Sequence, residues 1–509
     1  MTQISQMKRE ETGWSPLHLC NLCHLWTLLS GAWQGATMPT KRICETALEA
    51  VSDIDDGASI LVQSFGPPQA WPTDLLLAVQ ERGVTGLTVI CNSPAGGPTS
   101  LQILAEKQQI RHLICTYAML PSIPTPISEQ IRAGIIDVEL VPQGTLVERV
   151  RAGGAGLAAF YTPTGVGTVV AEGKEVRVFD GKPHLLEKAI RADYAFLQAH
   201  QADHAGNVTY RGGGRNFGPA FATAADCTIA EVREIVPTGS LDPEMVMTPG
   251  IFVDRLVRTT QQFDGGVIRQ IMMMSGRVRV MEGREMEGLS ALALPPDLMA
   301  MRVARLLRDG EYVNLGIGLP TLVSNYIAGR GVTLHSENGI LGYGAFPEEG
   351  EEDLDLYNAS GQLVTPLPET CYFDSSTSFA MARTGRVSTI VLGAFQVAPN
   401  GDLANWNIPS TGAGGIGGAM DLAAGGGRII AMCYQTEKNG TSKLVPKLTY
   451  PPTALGCVKH VVTDLAYFDV DGDGFLLREL APGLSVDDIR AATAAEFRVA
   501  SDVREMEFA

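Results

Sequence analysis

The sequence predicts an α/β protein made of two related α/β domains with largely parallel sheets. Three observations carry that expectation: short strands alternate with short helices, one block of motifs occurs twice in the same order, and the composition can fill large cores. The chain has 509 residues, 45% hydrophobic and only 19% charged, which excludes a disordered or fibrous chain. At about 150 residues per domain the length points to two to four units.

The first copy of the block begins at Asp56-Gly57, which opens an apolar strand over Ala58 to Val62 running to Gly66. Pro72-Thr73 then starts a helix-like run, Leu75 to Val79, that ends near Gly83-Val84. A second strand, Leu87 to Ile90, delivers Cys91-Asn92. In the second copy Asp309-Gly310 opens Tyr312 to Leu315, followed by Gly316-Ile317-Gly318 and Pro320-Thr321. Leu322 to Ile327 is helix-like, Gly331-Val332 ends it, and Thr333-Leu334-His335 runs into Ser336-Glu337-Asn338. A further echo pairs the segment from Gln201 through Gly206-Asn207 with that from Gln396 through Gly401-Asp402. The expected domains are therefore 38–258 and 296–509. Between them 259–295, with Met272-Met273-Met274 and Arg284-Glu285-Met286-Glu287, reads as a linker.

Residues 1–37 read as an appendage. The apolar stretch from Leu17 to Trp33 is broken by His18, Asn21 and His24 and falls short of the roughly twenty residues a membrane span needs. Cys20 and Cys23 have no second pair to complete a tetrahedral metal site. Met38 stands just before the pattern Arg42 to Val51, which reads as the first helix, so Met38 is expected as the native start or 1–37 as a weak leader. Nine cysteines scattered without dense spacing fit a reducing cytoplasm, or the mitochondrial matrix if the source is eukaryotic.

Thirty-nine basic against 56 acidic residues give a net charge of −17, which argues against nucleic acid or anionic membranes as partners but leaves room for a locally bound polyanion. The glycine clusters at 212–214, 316–318, 412–418 and 425–427 include no phosphate loop, because no Gly-Lys-Ser/Thr follows. Glycine instead lets bare amides approach an oxyanion, and Gly417-Gly418 before Ala419-Met420-Asp421 is the best placed. The acidic run 348–353 reads as a solvated loop. Asp469 to Gly474 reads as a polar hairpin, since Leu480 stands where a calcium loop closes with Glu. One contrast between the copies bears on chemistry: the second strand delivers Asn92 in the first and a carboxylate, Glu337, in the second.

The segments Ser336-Glu337-Asn338-Gly339-Ile340-Leu341-Gly342, Gly401-Asp402-Leu403-Ala404-Asn405-Trp406, Val141-Pro142-Gln143-Gly144-Thr145 and Gly417-Gly418-Ala419-Met420-Asp421-Leu422 resemble the family I coenzyme A transferases. Further matches are 151–156, 161–165 and 314–318, and the similarity runs from about residue 40 to the C-terminus, as in the single-chain 3-oxoacid type that fuses two bacterial-type subunits. The resemblance implies ping-pong transfer of CoA from an acyl-CoA, succinyl-CoA foremost, to a 3-oxoacid or another short carboxylic acid. Glu337 would be the nucleophile, passing through an acyl-glutamyl anhydride to a glutamyl-CoA thioester. The Gln143 side chain and the Gly418 amide would be the oxyanion donors, one from each domain, placing the active site between them. Asn92, Asn338 and Gly417 would line the substrate.

The resemblance further implies no permanent cofactor and no metal, CoA being a substrate, and a homodimer or homotetramer. Elementary chemistry agrees with the nucleophile: a free glutamate ionises near pH 4.3, so it needs no neighbouring base. The chain departs from the family at Gln63-Ser64-Phe65-Gly66, at 67–72 with the bulky Trp71, at Asn92-Ser93, and at Ser410 to Gly415, where a lysine-containing loop is usual. These departures bear on which acid is used. The competing expectations are an acyl-CoA hydrolase on the same scaffold and a non-catalytic sensor of a small ligand.

Overall fold

A computed structural model describes residues 41–95, 97, 99–119, 124–262, 266, 268, 292–411 and 413–508. Cys20, Cys23, Met38 and most of 259–295, including the methionine cluster, lie outside the described residues. Arg42–Ala509 forms one compact unit.

Both copies of the repeated block fold as read. Ser59–Val62 and Leu87–Cys91 pair in parallel, with Leu61 opposite Ile90. Tyr312–Leu315 and Thr333–Ser336 do the same, with Asn314 opposite His335. Parallel neighbours need a crossover, and in the first copy it is the helix Thr73–Arg82, whose Leu75, Leu76 and Val79 face the core. Gly83 ends it at φ +72°, a left-handed conformation that glycine adopts without strain, and its N–H caps Val79 and Gln80. In the second copy the crossover is a single 3₁₀ run, Leu319–Tyr326. The Gln201 and Gln396 echoes are the same hairpin: Gly206 and Gly401, both with φ near +85°, donate to Asp203 and Ala398 across the turn.

Around these cores two large sheets assemble. The first runs in the order Arg42–Cys44, Arg255–Arg258, Ala225–Val236, Ala192–Asp203, Ser59–Val62, Leu87–Cys91, Ile110–Cys115, Asp137–Leu140, every adjacent pair being parallel. The second is parallel from Thr333–Ser336 through Tyr312–Leu315, Thr389–Leu392 and Arg428–Met432 to Val458–Val462. Antiparallel strands extend it on both flanks, among them the hairpin Ala466–Asp471 and Gly474–Leu480. The acidic turn 469–474 is thus a hairpin turn, with Asp473 N–H donating to Asp471.

Two expectations change. Arg42–Cys44, read as part of a helix, is a strand, because Cys44 buries beside Val257 on the edge of the first sheet; only Ala47–Ala50 is helical. Trp71, expected to narrow a pocket, is buried in the first core, where its indole donates to Gly66 O.

Candidate active site

Glu337 stands at the tip of the strand Thr333–Ser336, where the chain reverses into the antiparallel strand Ile340–Tyr343. The reversal is tight: Gly339 N–H returns to Ser336 O at 3.0 Å. Gly339 has φ +109°, and a Cβ there would collide with Phe373 O. Asn338 is spent on the turn, its Oδ1 accepting from Ser336 Oγ and its Nδ2 donating to Tyr357 O, both at 2.7 Å. Glu337 is thereby aimed without freedom.

Its carboxyl is buried, with 6% of the residue exposed, and burial pushes its pKa up from the usual carboxylate range. A hydrogen bond from Asn314 Nδ2 to Oε2 at 3.0 Å, and after it the residue's own backbone amide, work the other way. His335, two residues earlier, is fully buried and its pKa is pushed down to about 4 by desolvation, so it is neutral at pH 7. A buried, weakly solvated carboxylate with one side-chain donor is a poised nucleophile rather than a structural ion. Among the described residues no group of three or more His, Cys, Asp or Glu side chains is placed to hold a metal ion.

The other candidates meet at the seam between the two halves. Gln143 begins the helix Gln143–Gly154; its backbone N–H donates to Gly417 O at 2.9 Å and its Nε2 to Asn92 Oδ1 at 2.7 Å. Asn92, at the tip of Leu87–Cys91, is itself held by Ser64 Oγ through its backbone N–H. Gln143 Nε2 therefore keeps one proton for a ligand. Gly418 precedes the short helix Ala419–Ala424, and a Cβ on it would sit 3.1 Å from Gln143 Oε1, so the two candidate donors are neighbours. Gly417 is engaged at both ends, donating to Thr116 O and accepting from Gln143. Tyr117 lies against Gly415 and Gly417 where side chains would not fit, which accounts for the glycines.

What sets Gln143 beside Gly418 is Asp421, a residue sequence reasoning did not single out as functional. Its fully buried carboxylate reaches from the second half to the first turn of Gln143–Gly154, accepting from Gly144 N at 2.8 Å, Thr145 N at 3.4 Å and Thr164 Oγ1 at 3.0 Å. Arg383 approaches it at 3.6 Å. Gly144 has to be glycine here: a Cβ would meet Asp421 Oδ1 and the Phe379 ring at 2.6 Å. Phe379 also packs on Gly418, and the preceding Ser378 bonds His335, so one helix, Ser375–Arg383, touches both the donor pair and the base of the Glu337 strand.

Asn314 was the other omission. Its signal is an amide inside an otherwise apolar strand, Tyr312–Leu315, at the position where the first copy has Leu61.

A buried strand-tip glutamate, in a fold that brings one amide donor from each half together, defines an acyl-transfer site, and the chain belongs to the coenzyme A transferase family: the family's model matches residues 44–259 and 297–492. It is 41% identical over 482 residues to human "Succinyl-CoA:3-ketoacid coenzyme A transferase 2, mitochondrial", covering 90% of each chain. Its second half is 48% identical over 193 residues to a subunit of the 3-oxoadipate CoA-transferase of Pseudomonas putida, covering 38% of this chain and 91% of that one. Among solved structures, an acyl-CoA transferase from Escherichia coli O157:H7 superposes with a TM-score of 0.74 over 92% of this chain and 96% of that one, at 21% identity; it shares the fold.

Proposed function

We propose that the protein moves CoA from succinyl-CoA to a 3-oxoacid through a thioester on Glu337. The observation that carries the reading is the carboxyl of Glu337, buried at a strand tip with a single side-chain amide donor and a neutral histidine behind it. The sequence kinship to succinyl-CoA:3-ketoacid and 3-oxoadipate transferases supports the substrate class.

In the reaction the Glu337 carboxylate adds to the thioester carbonyl, and the resulting oxyanion is met by Gln143 Nε2–H and Gly418 N–H. The C–S bond breaks, CoA thiolate leaves, and an acyl-glutamyl anhydride remains. The thiolate then attacks the glutamyl carbonyl, the C–O bond breaks, and succinate departs, leaving glutamyl-CoA. The acceptor carboxylate repeats these steps in reverse and leaves as its CoA ester. No proton has to move in any step, which suits a site whose nearest imidazole is not a base at neutral pH. Asn92 positions Gln143, and Asn338 and Gly417 frame the substrate by holding the two turns that bear Glu337 and Gly418. The proposed domain limits are 38–258 and 296–509, in a homodimer or homotetramer. The proposed location is the cytoplasm, or the matrix in a eukaryote; the described cysteines are free thiols.

The test is an acceptor screen with succinyl-CoA and acetoacetate, 3-oxoadipate, acetate, propionate or butyrate. The expected outcome is formation of a 3-oxoacyl-CoA with parallel double-reciprocal lines and no CoA release without an acceptor. Release of free CoA at the same rate in the absence of any acid would replace the reading by a hydrolase.

A further inference from the structure

Behind Glu337 runs a chain of hydrogen bonds whose direction can be worked out atom by atom. Ser378 Oγ lies 2.9 Å from His335 Nε2 and 3.3 Å from Ser336 O. A carbonyl can only accept, so the single hydroxyl proton of Ser378 goes to Ser336 O, and Ser378 Oγ accepts from His335. Nε2 therefore carries the imidazole proton, and Nδ1 of the neutral ring is a bare acceptor. Asn314 Nδ2 stands 3.2 Å from that Nδ1 and 3.0 Å from Glu337 Oε2. Meanwhile Asn314 Oδ1 is buried and has no partner among the described residues.

An orphaned amide oxygen costs about 1–3 kcal/mol, and a flip of the Asn314 amide would exchange the positions of its oxygen and nitrogen. The flip would bring the oxygen against the Glu337 carboxylate and a second acceptor, His335 Nδ1. With the other tautomer, Nδ1–H would welcome that oxygen and the flip would be favoured. The orientation of the donor to Glu337 is thus decided by which ring nitrogen of His335 is protonated.

We propose that His335 and Ser378 are positioning residues for the reactive carboxylate: Ser378 fixes the Nε2–H tautomer of His335, and the bare Nδ1 holds the Asn314 amide with its NH2 group toward Glu337. The inference rests on the reading of Glu337 as the nucleophile. Asn314 then lowers the proton affinity of a carboxyl that burial raises, so that more of it is ionised at working pH. The titratable groups packed around that carboxyl are His335 on its own strand and Tyr343 on the next, whose phenol is kept neutral by burial. Arg383, at the far end of the helix that carries Ser378, is engaged by Glu148 and Asp421. Asn92 and Gln143, on the side of the first sheet, do not titrate.

The experiment records kcat/KM and kcat for CoA transfer against pH in wild type, His335→Phe, His335→Gln and Ser378→Ala. In His335→Phe and Ser378→Ala the acidic limb should move up by half a pH unit or more and kcat should fall about tenfold, with KM for succinyl-CoA within twofold of wild type. His335→Gln, which can offer an oxygen to Asn314 and an NH2 group to Ser378, should restore the wild-type limb. An unmoved limb in His335→Phe, or His335→Gln as impaired as His335→Phe, overturns the proposal. Since a buried phenylalanine can prevent folding, the imidazole ¹⁵N shifts of the wild-type protein at pH 7 give a second reading. A neutral Nε2–H ring is expected, and an Nδ1–H ring or an imidazolium overturns the proposal. Glu337→Gln run in parallel separates the two claims: if it transfers CoA normally, the nucleophile assignment is what has failed.

Discussion

The two halves use one strand pair for opposite ends. In the first, the paired positions before the tip are Leu61 and Ile90, both in the apolar core, and the tip residue is Asn92, neutral and fully engaged by Ser64 and Gln143. In the second, the same positions hold Asn314 and His335, equally buried, and the tip residue is Glu337. A carboxylate at that tip needs a donor from inside the sheet, and an amide inside the sheet needs a partner of its own. The polar pair is therefore the support a buried nucleophile requires, and the apolar pair shows what the scaffold holds when no charge has to be borne.

The largest effect expected from crossing the two designs is in stability. Leu61→Asn puts the amide of the second half into the first without its histidine or carboxylate. It loses leucine packing and buries an unpartnered amide, so unfolding free energy should drop by about 3–5 kcal/mol in a denaturant titration. An unchanged midpoint would mean that the polar pair in the second half is tolerated anywhere and is not a support. A somewhat smaller effect falls on rate. Gln143→Ala removes the donor that Asn92 holds in place, and kcat should fall about 10²–10³-fold, equivalent to about 2.7–4 kcal/mol, with the melting temperature nearly kept. Unchanged kcat would reduce the Asn92–Gln143 pair to packing and leave the first half without a chemical part.

Much of this was legible in the sequence because it is local. Asp-Gly before each first strand, a glycine turn after it, and a Gly-Val step before each second strand mark the repeat without reference to the rest of the chain, and the exchange of Asn92 for Glu337 stands out as soon as the copies are aligned. The Gly417-Gly418 amides were visible for the same reason. What stayed hidden depends on partners distant along the chain. Arg42–Cys44 is a strand only because Arg255–Arg258 waits beside it. Asp421 holds the first turn of a helix through Gly144, 277 residues earlier, and has no local mark beyond its place after the glycines. Asn314 and His335 were written plainly in the aligned copies as polar residues at apolar positions. Only the register of the two strands shows that they meet each other and Glu337.

The central claim is that the difference between the two tips is the chemistry. Incubation with succinyl-CoA alone, followed by rapid acid quench, proteolysis and peptide mass analysis, tests it directly. The account predicts CoA on the peptide that contains Glu337, sensitive to hydroxylamine, absent from Glu337→Gln and discharged when a 3-oxoacid is added. Steady transfer with no adduct on that peptide, or an adduct elsewhere, would contradict it.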